Sequence, residues 1–150
     1  MTGWRIGYGL FPDQLVEPIS RLVTNSVSCT ASFTQKAAIE AITGPQHDSA
    51  RMVDEFRERR NIIVEGLNRI DGIECSVPKG AFYAFPNVEG TGMSSSEFAN
   101  RLLEESGVAV LSGESFGRFG TGYVRISFAN SVDNLSQALI RIEKFLKAGT

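Results

Sequence analysis

Apolar positions along the chain change period several times, and each change predicts an element. Residues 1–9 alternate: Thr2, Trp4, Ile6 and Tyr8 share one face of an extended segment, and Gly3, Arg5, Gly7 and Gly9 the other, which predicts a buried strand. From Pro12 and Asp13 the spacing turns helical, with Leu15, Ile19, Leu22 and Val23 on one side. Residues 24–32 are small and polar and predict a loop, and residues 33–42 predict a second helix stopped by Gly44-Pro45. A long helix capped by Asp48 or Ser49 then runs to about Ile70. Its predicted buried side carries Met52, Val53, Phe56, Ile63, Leu67 and Ile70, and Gly72 ends it.

Beyond Gly72 the segments shorten. Residues 73–77 and 81–86 predict a hairpin about the turn Pro78-Lys79-Gly80. Ser94 with Glu97 forms a capping box for a helix to Glu105 that buries Phe98, Leu102 and Leu103 and stops at Gly107. Short strands are predicted at 108–111 and 122–129. The second sets Val124, Ile126 and Phe128 on one face and Tyr123, Arg125 and Ser127 on the other. Ser131 caps a last helix with the stripe Leu135, Ala138, Leu139, Ile142 and Phe145. Residues 72–150 thus predict a small sheet covered by helices, expected to hold its own core.

At 42% hydrophobic residues over 150 positions, the chain can bury one sizeable core or two small ones. A formal charge of −2 gives no electrostatic case for nucleic acid or an anionic membrane as partner, and no apolar run reaches membrane-spanning length. Cys29 and Cys75 form no C-x-x-C pair and no hydrophobic targeting segment opens the chain, which together predict reduced thiols and a cytoplasmic protein. His47 stands without companions spaced for a metal site. The mixed charges of Asp54, Glu55, Arg57, Glu58, Arg59 and Arg60 read as a solvated helix face.

Two arginines stand apart from that background. Arg5 is flanked by glycines on its strand face, which suits either an anion brought close to the backbone or an edge strand whose arginine reaches water. Arg125 lies opposite an apolar stripe and is open to the same two readings. Gly113, Gly117, Gly120 and Gly122 have neither dinucleotide nor P-loop spacing and read first as turn residues.

The segment Met1-Thr2-Gly3-Trp4-Arg5-Ile6-Gly7-Tyr8 resembles the one following the cofactor lysine in class I/II aminotransferases, the fold-type I pyridoxal-phosphate enzymes related to aspartate aminotransferase. Gly113-x-x-Phe116-Gly117 followed by Gly120-x-Gly122-Tyr123-Val124-Arg125-Ile126-Ser127-Phe128-Ala129 resembles their C-terminal segment, with Ser112 where family members often have proline. Gly80-Ala81-Phe82-Tyr83 is similar to the family's small-domain hairpin, although Phe82 and Tyr83 read as core or interface aromatics.

The resemblance implies a truncated α/β fold of the pyridoxal-phosphate-dependent transferase type. Residues 1–46 would be a remnant of the large cofactor-binding domain, 47–71 an interdomain helix and 72–150 the small α+β domain. It implies that Arg5 binds the phosphate of pyridoxal 5'-phosphate and that Arg125 grips the substrate carboxylate, with an amino acid (aspartate or similar) and a 2-oxo acid as substrates of a homodimeric parent. The family's Schiff-base lysine would lie four residues before Met1, and Lys36, Lys79, Lys144 and Lys147 do not match it. This piece alone is therefore expected to be inactive, with no catalytic residue of its own and no cofactor bound. A β-lyase on the same scaffold and a non-catalytic α+β interaction domain are the competing readings. Without the large sheet, the apolar faces of residues 1–46 are expected to be exposed, disordered or covered by another copy.

Overall fold

The structure is a computed structural model describing residues 2–148. The chain divides into two compact units, residues 1–49 and 50–150.

In the first unit the opening segment is not a strand. Residues Thr2–Trp4 form a 3-10 turn, Arg5 has φ 52°, and no regular structure follows until Asp13. Met1, also part of the predicted strand, lies outside the described residues. A strand needs a neighbour for its amides and carbonyls, and the described residues offer this segment none. At two of its glycines the expected close approach is absent, since a Cβ added to Gly3 or Gly7 would meet nothing; one added to Gly9 would meet only the Phe11 ring.

Helix α1 spans Asp13–Ser26 and α2 Ser32–Thr43. The first outruns its predicted end because polar residues bond back along it. Thr24 Oγ1 donates to the Ser20 carbonyl at 2.8 Å, Asn25 Nδ2 to Arg21 at 2.7 Å and Ser26 Oγ to Leu22 at 2.9 Å. Neither helix buries an apolar side chain. Leu10, Leu15, Leu22, Val27, Phe33, Ile39 and Ile42 are all exposed, and Thr34 is the one buried residue among those described in the first unit.

Helix α3, His47–Leu67, passes into the second unit, where its C-terminal half supplies Ile63, Val64 and Leu67 to the core. Met52 and Val53, predicted on the buried side, are exposed. Asp54 with Arg57, and Glu55 with Arg59 at 3.3 Å, make the expected solvated ion pairs. The helix stops before Ile70 as the chain tightens into turns, and the side chain of Asn68 engages elsewhere: its amide donates to the Cys75 carbonyl at 2.9 Å and its oxygen accepts from the Cys75 amide at 2.8 Å.

That exchange changes the predicted hairpin. With Cys75 satisfied by Asn68, residues 73–77 form no ladder; only Glu74 pairs with Asn87. Strand β1, Tyr83–Ala84, pairs instead with a distant segment. Helix α4, Ser95–Ser106, is capped as expected: the Glu97 amide donates to Ser94 Oγ at 3.2 Å, and at Gly107, φ 66°, the helix closes with the Gly107 amide donating to the Leu103 carbonyl at 3.0 Å and the Val108 amide to Leu102 at 3.3 Å. Strand β2 is Leu111–Ser112, starting three residues beyond the start predicted at 108, and β3 is Val124–Ser127, shorter than the predicted 122–129. The sheet is antiparallel in the order β1-β3-β2, so β3 is central. Helix α5, Val132–Ala148, covers it with Leu135, Ile142 and Phe145; the Asn134 amide donates to Ser131 Oγ at 3.2 Å.

The core joins Ile63, Val64, Leu67 and Ile70 to Phe98, Leu102, Val124, Ile126, Phe128, Leu135, Ile142 and Phe145. A core confined to residues 72–150 is thereby corrected: half of α3 belongs to it. Leu67→Ala, at a site with no exposure, is expected to cost about 2–5 kcal/mol, and Val53→Ala, 52% exposed, about 0.5 kcal/mol or less. Urea unfolding followed by circular dichroism measures both, and equal losses would contradict the burial pattern. By the same measurement, residues 50–150 alone should unfold cooperatively and residues 72–150 should not.

Candidate functional site

Register places the second arginine. Leu111 pairs with Arg125, Ser112 with Val124, Ala84 with Ile126 and Tyr83 with Ser127. Directly opposed residues project to the same face, so Ala84, Val124 and Ile126 enter the core while Tyr83, Leu111, Arg125 and Ser127 lie on the other side. Tyr83 is thus a diagonal neighbour of Arg125, with its ring centre 4.3 Å from the guanidinium carbon. Phe116 lies at the same distance. Arg125 is half-buried, and among the described residues it makes no hydrogen bond or ion pair.

Phe116 reaches this position through the glycine-rich loop. After β2 the chain makes a 3-10 turn at Gly113–Phe116 and another at Arg118–Gly120. It then closes on itself: the Gly113 amide donates to the Tyr123 carbonyl at 2.8 Å, and the Tyr123 amide to Gly120 at 3.1 Å. A Cβ on Gly113 would stand 2.2 Å from the Gly120 carbonyl oxygen, so no larger residue fits that crossing. Ser112 sits at φ −57°, the value that proline fixes. Phe85 backs the cluster, stacked on Tyr123 at 5.4 Å and edge-on to Phe116 at 6.1 Å. Sequence reading identified Arg125 and the loop glycines but missed what Tyr83 and Phe116 do. The available signal was Tyr83's position in an alternating segment, which has no meaning until its partner strand is known.

Arg5 belongs to the first unit. It lines an open cavity of about 810 Å³ together with Gly3, Trp4, Cys29, Thr30 and Thr34. No aspartate or glutamate is among the described residues lining it. Helix α2 begins there with Ala31 at its N-cap, a residue that cannot accept the first-turn amides through its side chain. Trp4 packs edge-on to Phe33 at 6.3 Å. This is a setting an anionic group suits. Among the described residues its lining includes no lysine and no acid.

The remaining candidates are structural. His47 is the first residue of α3, exposed, with Nε2 3.7 Å from Asp48. Burial pushes the Cys75 thiol above its usual range, partly offset by a backbone hydrogen bond from Phe85, which suits an inert core position. Arg101, hydrogen-bonded to Glu105 at 2.8 Å, holds that carboxyl below the usual carboxylate range at an exposed helix surface. Lys36, Lys79, Lys144 and Lys147 are exposed. Among the described residues no cluster of three or more His, Cys, Asp or Glu could hold a metal, and no helix is long and apolar enough to cross a membrane.

The profile of the family described as aminotransferase class I and II matches residues 1–142. The aspartate aminotransferase of Pyrococcus horikoshii is 46% identical over 149 residues, 98% of this chain and 38% of that protein. Among solved structures, the aspartate aminotransferase from Rhizobium meliloti superposes with a TM-score of 0.91 at 37% identity, covering 98% of this chain and 39% of that one. The aromatic aminotransferase from Pyrococcus horikoshii gives 0.92 at 37% identity, covering 99% and 40%. The chain therefore spans about two fifths of the length of the relatives it matches, and its architecture is the corresponding part of the pyridoxal-phosphate-dependent transferase fold. It belongs to the class I and II aminotransferase family.

Proposed function

We propose that this chain is part of a pyridoxal-phosphate-dependent aminotransferase that moves an amino group between an amino acid, aspartate or a similar one, and a 2-oxo acid. The observation that carries the reading is Arg125: a half-buried guanidinium on the open face of the sheet, with no carboxylate partner among the described residues. A planar fork with two parallel N–H donors suits a substrate carboxylate, and both reaction partners of a transaminase carry one. Arg5, in a cavity with no acidic side chain among the described residues lining it, would hold the cofactor's phosphate. When bound, pyridoxal phosphate supplies an electron sink for chemistry at the substrate's α-carbon. The work of this chain is to bind and orient: Arg5 would hold the phosphate and Arg125 the substrate carboxylate.

The domain assignment follows the same reading. Residues 1–46 belong to the large cofactor-binding domain, 47–71 to the helix between domains and 72–150 to the small domain, the last drawing part of its core from α3. The exposed apolar side chains of the first unit support burial against the rest of a longer, homodimeric protein. Two unpaired thiols, one buried, support a reducing compartment such as the cytoplasm.

Alone, the chain is inactive. A Schiff-base lysine needs a desolvated, cation-rich or otherwise pKa-lowering site, and Lys36, Lys79, Lys144 and Lys147 all stand in water. Purified chain with pyridoxal phosphate should move no amino group from a panel of amino acids to 2-oxoglutarate; measurable turnover would overturn this statement. In the longer protein the same panel should show transfer. There Arg125→Gln should raise KM for both substrates roughly 10- to 100-fold, the loss expected of charge-assisted hydrogen bonds. An unchanged KM would remove Arg125 from the site.

A further inference from the structure

A guanidinium is flat, with five N–H donors in its plane and two faces that carry none. In Arg125 the ring centres of Tyr83 and Phe116 both lie 4.3 Å from Cζ, and contacts of this kind use no N–H. The hydrogen-bonding edge of the group therefore remains for something else. The two rings come from unrelated parts of the chain: Tyr83 from β1 through its pairing with Ser127, Phe116 from the turn that the Gly113 and Gly120 crossing holds in place.

We propose that Tyr83 and Phe116 are positioning residues for Arg125, fixing the guanidinium plane so that a carboxylate meets an already oriented pair of N–H donors. The proposal rests on the reading of Arg125 as the carboxylate-binding residue and adds how that residue is made ready. A free arginine side chain gives up much rotamer freedom when it closes on a ligand; one already stacked on aromatic rings gives up less. The rings also exclude water beside the group, which strengthens its attraction for an anion. Lysine at this position would keep the charge but has no plane to stack and no fork to present.

The test uses the 150-residue chain with ¹⁵N-labelled arginine, reading the Arg125 Nε–Hε signal by NMR during titration with sodium acetate at constant ionic strength. In the unaltered chain that signal should be displaced by ring currents and should move as acetate binds. Tyr83→Leu and Phe116→Leu should each reduce the ring-current displacement and weaken acetate binding roughly two- to fivefold, the scale of one cation–π contact. Tyr83→Phe and Phe116→Tyr should restore both. Arg125→Gln removes the Nε–Hε signal, so for this comparison the chain is uniformly ¹⁵N-labelled, and the acetate-dependent shifts that the backbone amides of Tyr83, Phe116 and Ser127 show in the unaltered chain should vanish. Phe116 is 47% exposed, so its replacement leaves the core intact even if Tyr83→Leu proves unstable. Leucine variants that bind acetate like the unaltered chain, with Arg125→Gln still deficient, would overturn the positioning role and leave the Arg125 reading standing. No acetate response at Arg125 in the unaltered chain, or binding unaffected by Arg125→Gln, would remove both.

Discussion

Strand β3 has to satisfy two environments with four residues. Val124 and Ile126 must enter a core built by α3, α4 and α5, and Arg125 between them must then project to the opposite side. The period of two in a strand makes these one condition: any register that buried Arg125 would expose both aliphatic neighbours and leave a charge in the core. Flanking strands pair on both sides of β3 and hold it to a single register. The placement of the candidate carboxylate grip is therefore a by-product of the same burial that holds the second unit together.

The first unit lacks a comparable constraint. Its first helix is amphipathic and both helices carry apolar side chains, but the described residues bury almost none of that surface. Helices of 14 and 12 residues gain most of their stability from a buried face, so this unit is the part of the chain whose order depends most on what it packs against. A chain spanning about two fifths of its relatives' length holds a small core in its second unit and exposed apolar side chains in its first, and each unit carries one of the two arginines proposed to bind an anion.

Legibility in the sequence followed how local each determinant is. Helix caps and stripes are local, and α2, α4 and α5 fall close to their predicted positions, with Ser94, Gly107 and Ser131 acting as read. The alternation of Val124, Ile126 and Phe128 is local as well, so the face of Arg125 was readable before any partner was known. Determinants lying elsewhere in the chain were not. Residues 73–77 read as a strand, but the Asn68 side chain takes the backbone groups of Cys75. The opening residues alternate as a strand should, yet without a neighbour to bond they remain irregular, with Arg5 at a positive φ. Tyr83 and Phe116 are ordinary aromatics in sequence and meet Arg125 only after a strand pairing and a glycine crossing bring three segments together.

The most direct measurement is a crystal structure of the longer protein with a non-reactive carboxylate analogue of the substrate bound. The predicted result is both oxygens of one carboxylate on the Arg125 guanidinium, with Tyr83 and Phe116 still against it. A carboxylate bound away from Arg125, with that side chain turned to solvent, would contradict it.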